Sequence, residues 1–224
     1  MNKAETVDQL LSEHRVIENQ ASMAAYMKHH FEFYGIKSQL RRSLTKPILT
    51  EMKNVTKTTQ KIQWDFIKEL WNFSARENQY VAADYLNEVD KYITLDDLNE
   101  FQELIINKSW WDSVDILVKR VGNLSLRNSE TKKIILNWAK SENIWLKRTS
   151  IICQLGLKES TDTDLLKTVI IENLKTGEFF VDKAIGWALR EYAKTNVTWV
   201  KAFIEKYQKD LAPLSIREAQ KHMK

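Results

Sequence analysis

The stretch SWWDSVDILVKRVG (109–122) decides the fold class. Trp110, Val114, Leu117, Val118 and Val121 stand at i, i+4, i+7, i+8 and i+11, the spacing of one apolar stripe along an α-helix. Trp111, Asp115 and Lys119 follow each other at intervals of four and form a second stripe beside the first. A tryptophan on that second stripe is not needed to close a core. One turn from a carboxylate, it reads as an exposed ring and acid over a groove.

Two further stretches repeat this pattern. In EFFVDKAIGWALREYAK (178–194), Val181, Ile185, Ala188, Leu189 and Tyr192 make the core stripe. Trp187 lies off it, with Lys183 one turn before and Arg190 one turn after. Gly186 beside it is unfavourable inside a helix by about 1 kcal/mol, and close packing against another backbone is a reason to keep it. NIWLKRTSIICQLG (143–156) is apolar nearly all round, as in a helix covered on both sides, yet it carries Arg148. A partly buried arginine requires an anionic partner. Asp115 on the neighbouring helix is the candidate by register. Positions 111, 148 and 187 are therefore expected to line up on three successive helices.

Helix starts recur along the whole chain. One series begins near residues 39, 75, 110, 144, 179 and 215, and a second near 60, 95, 129, 162 and 197, so both have a period of about 35. The start signals are Ser or Thr followed three residues later by an acid: Ser74 and Glu77, Thr94 and Asp97, Ser109 and Asp112, Thr161 and Asp164, Ser215 and Glu218. Gly35, Gly122 and Gly177 stand where helices are expected to stop. Two interleaved series with one period predict an all-α, HEAT-like helical-repeat solenoid with a basic concave face, forming a single domain over residues 1–224.

Every helix of the first series carries arginine: Arg41 and Arg42, Arg76, Arg120, Arg148, Arg190 and Arg217. Equivalent helices stack along one wall of a solenoid, so the expectation is a cationic track for a phosphate backbone. Taken singly, each arginine also fits a plainer role as a solvated charge or an internal salt-bridge partner.

Composition narrows the function classes. Five Gly and two Pro in 224 residues are too few for the turns of an all-β chain. The net charge is only +4, so total charge does not by itself argue for nucleic acid. A lone cysteine, Cys153, excludes an internal disulfide and fits a reducing cytoplasm. His14, His29, His30 and His222 lack metal-ligand spacing, so no metal or other cofactor is expected. The N-terminal MNKAETVDQLLSEH is acidic and amphipathic, unlike a signal peptide, and no apolar run approaches a membrane span.

At the blocks YMKHHFEFYGI (26–36), INKSWWDSVD (106–115), NIWLKR (143–148), EFFVDKAIGWALREYAKTN (178–196) and APLSIREAQKH (212–222), the sequence resembles the AlkD-type DNA alkylation repair glycosylases, a HEAT-like family. The resemblance runs from about Tyr26 to Met223. It implies hydrolysis of the N-glycosidic bond of cationic alkylated purines (7-methylguanine and 3-methyladenine type) in duplex DNA, without base flipping. A cytoplasmic location, from the lack of a signal peptide or membrane span, and a monomer are separate expectations. The family's catalytic tryptophan and aspartate match Trp111 and Asp115, its arginine Arg148, and its second cleft tryptophan Trp187. Tyr26 matches a tyrosine that reaches the DNA backbone. Lys37, Arg41, Arg42, Arg76, Lys183, Arg190 and Arg217 complete the expected DNA-binding set. The sequence departs from the pattern in a segment before Tyr26 that is about one turn short. It also has Lys37 where glutamine is usual, and Pro47, which is expected to interrupt a helix of the first repeat. The competing readings are a non-catalytic relative that binds distorted or branched DNA, and a protein-binding solenoid.

Overall fold

A computed structural model describes residues 2–221 and 223, so His222 lies outside the described residues. Thirteen α-helices form among them: α1 (Lys3–Glu13), α2 (Ile17–Tyr26), α3 (Ser38–Thr59), α4 (Trp64–Asn72), α5 (Arg76–Glu88), α6 (Leu98–Ile106), α7 (Trp111–Arg127), α8 (Thr131–Ala139), α9 (Ile144–Ile152), α10 (Thr163–Glu172), α11 (Phe179–Ala193), α12 (Val197–Tyr207) and α13 (Pro213–Gln220). Apart from one parallel bridge between Glu32 and Ala75, no extended pairing occurs among the described residues. The expected all-helical repeat is present. Its two series of starts fall within four residues of the positions read from the sequence. Among the described residues, no helix is long and apolar enough to cross a membrane.

The chain divides into two compact units, Met1–Ile93 and Thr94–Lys224. In the first, α3 and α4 pack on α5, and α1 closes against α3 and α4. Its core includes Leu11, Ile67, Trp71, Tyr85 and Leu86, none more than 1% exposed. In the second, α9 packs against both α7 and α11, and α11 against α13, so one helix of each pair stacks side by side in chain order. Val114, Leu117, Val118 and Val121 of α7 are buried, as are Val181, Ile185, Ala188 and Leu189 of α11. These belong to the core stripes read from the sequence, whose outer members Trp110 and Tyr192 are only half-buried.

Several start and stop signals work differently from expectation. Only Thr94 and Asp97 form the expected reciprocal cap, ahead of α6. Asn143, Asp162 and Asn196 cap α9, α10 and α12 by accepting from backbone N–H groups of the first turn. Glu77 is instead wholly buried and accepts from the N–H groups of Tyr34, Gly35 and Ile36 at 2.9–3.1 Å. It pins the loop before α3 to α5. Burial pushes its carboxyl up, against these backbone donors. Ser215 lies inside α13 and donates to the Asp182 carbonyl at 2.7 Å.

Gly35 and Gly177 occupy left-handed turns between helices, with φ of 85° and 72°. Gly122 does not stop α7, which runs on to Arg127. A Cβ there would stand 1.8 Å from the Cys153 carbonyl oxygen, so the glycine serves close passage of α7 by the end of α9. Nor does Pro47 break its helix: α3 continues through it for 22 residues. Pro47 is exposed, and water can satisfy the carbonyl whose helical donor it removes. Cys153 is 2% exposed, donates to the Ser150 carbonyl, and has its thiol pushed up to about 12 by burial.

Candidate active site

The second unit brings Asp115, Arg148 and Trp187 together from α7, α9 and α11. Arg148 Nε donates to Asp115 Oδ1 and Nη2 to Oδ2, each at 2.8 Å. This is the two-pronged fit of a planar guanidinium to a carboxylate. The third guanidinium nitrogen, Nη1, donates to the Phe180 carbonyl at 2.9 Å, which ties α9 to the start of α11. The Trp187 ring centre lies 5.9 Å from the guanidinium carbon. The side chains of Arg148 and Asp115 are 5% and 17% exposed, so the charges are largely withdrawn from water while the carboxylate keeps an opening. Burial raises the Asp115 pKa above the ordinary aspartate range. Arg148 works against this shift through its hydrogen bonds and its charge, and the charge of Asp112 adds to it.

Trp111 is the first residue of α7, one turn before Asp115, and is half-buried. Its neighbour Trp110 takes an extended backbone as the N-cap and joins an aromatic cluster. The Trp110 ring lies 5.8 Å from that of Trp145 and 5.1 Å from that of Phe180, and Trp145 lies 5.0 Å from Phe180. The starts of α7, α9 and α11 are thus clasped by three rings beside the ion pair. Sequence reasoning placed Trp110 on the core stripe but found neither the role of Phe180 nor that of Trp145. The Phe180 contact uses a backbone carbonyl, which leaves no mark in a sequence. Among the described residues, no cluster of His, Cys, Asp and Glu is arranged to hold a metal ion.

The sequence pattern of the DNA alkylation repair enzyme family matches residues 7–223. The chain belongs to the DNA alkylation repair enzyme family. A solved structure described as a predicted DNA alkylation repair enzyme from Enterococcus faecalis is 37% identical in sequence, with a TM-score of 0.85. The match covers 93% of this chain and 96% of that one. No curated protein matches the chain. Membership of the alkylation repair family supports a role in DNA repair.

The residues expected to bind DNA in this family member fall into two groups. Tyr26, Lys37, Arg42, Lys183 and Arg217 are exposed. Arg41 and Arg76 are buried, and Arg190 is half-buried and paired within the protein. Arg41 is 6% exposed and bonds Asp84 at 3.0 Å. Arg76 is wholly buried, its guanidinium 3.7 Å from the centre of the Phe31 ring. Arg190 bonds Glu218 at 2.6 Å. Arg120, another member of the expected track, is 5% exposed. An unbroken track with one open arginine on each helix is therefore not present, because the buried guanidinium groups of Arg41, Arg76 and Arg120 serve the interior. Helical spacing alone does not distinguish an arginine that points out from one that points in.

Proposed function

We propose that this family member is an AlkD-type DNA glycosylase that hydrolyses the N-glycosidic bond of cationic alkylated purines in duplex DNA. The observation that carries the reading is the Asp115–Arg148 pair, a largely buried carboxylate held by two parallel hydrogen bonds beside Trp187. A carboxylate on a surface that meets phosphates weakens binding, so its presence there has a chemical reason.

The chemistry needs no metal and no general acid. An alkylated purine is already positively charged, and when its bond to C1′ breaks it keeps the electron pair and leaves neutral. Positive charge develops on the deoxyribose. Asp115 stabilises that charge, and each of its oxygens retains a lone pair beyond those bonded to Arg148. Water attacks C1′, and its proton passes to the Asp115 carboxylate or to solvent, leaving an abasic sugar and the free base. Trp111 and Trp187 offer electron-rich faces to the cationic sugar. The lesion stays stacked in the duplex, unlike the substrates of base-flipping enzymes. The exposed residues Tyr26, Lys37, Arg42, Lys183 and Arg217 grip the backbone. Arg41 and Arg76 support the exposed cations of the first unit from within, and Arg190 supports those of α11 and α13 in the second. The whole chain acts as one DNA-binding domain, as a cytoplasmic monomer without cofactor.

Release of free 7-methylguanine from methylated duplex DNA tests the reading. Wild type is expected to release the base and Asp115→Asn to lose nearly all release. A second reading has an observation of its own: both Asp115 oxygens are already bonded to Arg148, which also completes a structural bridge. In that case the protein binds distorted or branched duplex without cleaving it. Absence of release by wild type, with salt-sensitive duplex binding retained, would favour that reading.

A further inference from the structure

Lys183, Trp187 and Arg190 stand at i, i+4 and i+7 of α11 and share one stripe. Both cations of that stripe end on one carboxylate. Lys183 Nζ lies 3.8 Å from Glu218 Oε1, and Arg190 Nη1 lies 2.6 Å from Oε2. Lys221 reaches Oε1 at 2.7 Å from the end of α13. The Glu218 side chain is 6% exposed, whereas Lys183 and Lys221 keep 45% and 46% of their side-chain surface open. The hydrogen bond from Lys221, followed by that from Arg190 and the nearby positive charges, outweighs burial and lowers the Glu218 pKa. The carboxylate is thus ionised at neutral pH.

α13 comes this close because residue 186 has no side chain. A Cβ there would stand 2.5 Å from the Glu218 Cβ and 2.8 Å from the Ser215 carbonyl oxygen. Ser215 adds its hydrogen bond to the Asp182 carbonyl. The turns of α11 on both sides of Trp187 are therefore tied to α13, and the Trp187 ring faces the guanidinium of Arg148.

A buried carboxylate among cations on a phosphate-binding surface reduces attraction for DNA, so affinity does not explain it. We propose that Glu218 is a positioning residue: by holding Lys183 and Arg190 to α13 it fixes Trp187 against the Asp115–Arg148 pair, while weakening attraction for the duplex. The inference rests on the glycosylase reading and names a further residue of the same site.

The test is a split between binding and chemistry. Glu218→Gln removes the negative charge and loosens the anchor. Its Kd for duplex is expected to tighten about threefold or more at low salt, with a steeper salt dependence. Its single-turnover release of 7-methylguanine is expected to slow roughly tenfold to a hundredfold. Gly186→Ala displaces α13 without changing charge, so its rate is expected to fall without the tightening of Kd expected of Glu218→Gln. Glu218→Asp keeps the charge and shortens the reach, with the same expected result, and it carries the comparison if Glu218→Gln does not fold. Circular dichroism and Tm establish folding in each case. An unchanged rate in the folded variants, or a loss of affinity together with rate in Glu218→Gln, overturns the proposal and leaves the glycosylase reading intact. A wild type that releases no base overturns the glycosylase reading and this proposal with it.

Discussion

At Asp115, burial favours the neutral acid and Arg148 favours the anion, and burial has the larger effect. The proposed chemistry needs the anion. Activity is therefore expected to be lost as pH falls through a value above the ordinary aspartate pKa of about 4. Single-turnover rates across pH are the check, and an acid limb at or below pH ~4 would contradict it. Arg148→Met removes the group that lowers this pKa, so any residual activity is expected to show its acid limb at still higher pH. The same variant leaves Asp115 buried without its partner, a loss of about 3 kcal/mol in stability at neutral pH. Here the folded-state pKa lies above the unfolded one, so the penalty belongs to the ionised form. It is expected to shrink as pH falls toward the unfolded value, which denaturation at pH 7 and pH 4.5 would reveal.

Among the helices, Gly122 and Pro47 give opposite expectations. Gly122→Ala forces a methyl group onto the Cys153 carbonyl and is expected to destabilise the second unit by roughly 1–3 kcal/mol. Pro47→Ala restores a hydrogen bond in the interior of α3 and is expected to stabilise the protein by about 1–3 kcal/mol. Urea titration measures both, and a sign reversal in either refutes the local account. The two residues also mark what the sequence made legible. Apolar periodicity located the helices and their inward stripes, and register joined Asp115 to Arg148, because both follow from repeat geometry. Gly122 looked like a helix stop because a glycine kept for close packing and one kept for a left-handed turn are the same letter. Ser215 and Glu218 matched a capping pattern, yet they belong to a long-range clamp whose partners lie about one repeat earlier in the chain. The carbonyl that holds Arg148 carried no signal in any form.

For the whole molecule, the modest net charge of +4 and the internal pairing of Arg41, Arg76 and Arg190 limit how many phosphates can be neutralised. The salt dependence of duplex binding is expected to reflect the exposed cations. Neutralising Lys37, Arg42 or Arg217 is expected to reduce the slope of log K against log salt by about one each. Arg76→Met is expected to leave that slope unchanged and lower the Tm, because its guanidinium lies in the interior. A fall in slope for Arg76→Met, measured by fluorescence anisotropy, would show that this arginine reaches DNA after all. The buried thiol of Cys153 has a chemical consequence of its own. With its pKa pushed up to about 12 and only 2% of its surface open, the chain's one cysteine is held as a protonated thiol and shielded from reagents. A methylating electrophile therefore meets no exposed thiolate at Cys153. Alkyl transfer from DNA to a protein thiolate would need a cysteine open to the duplex, and Cys153 is not one.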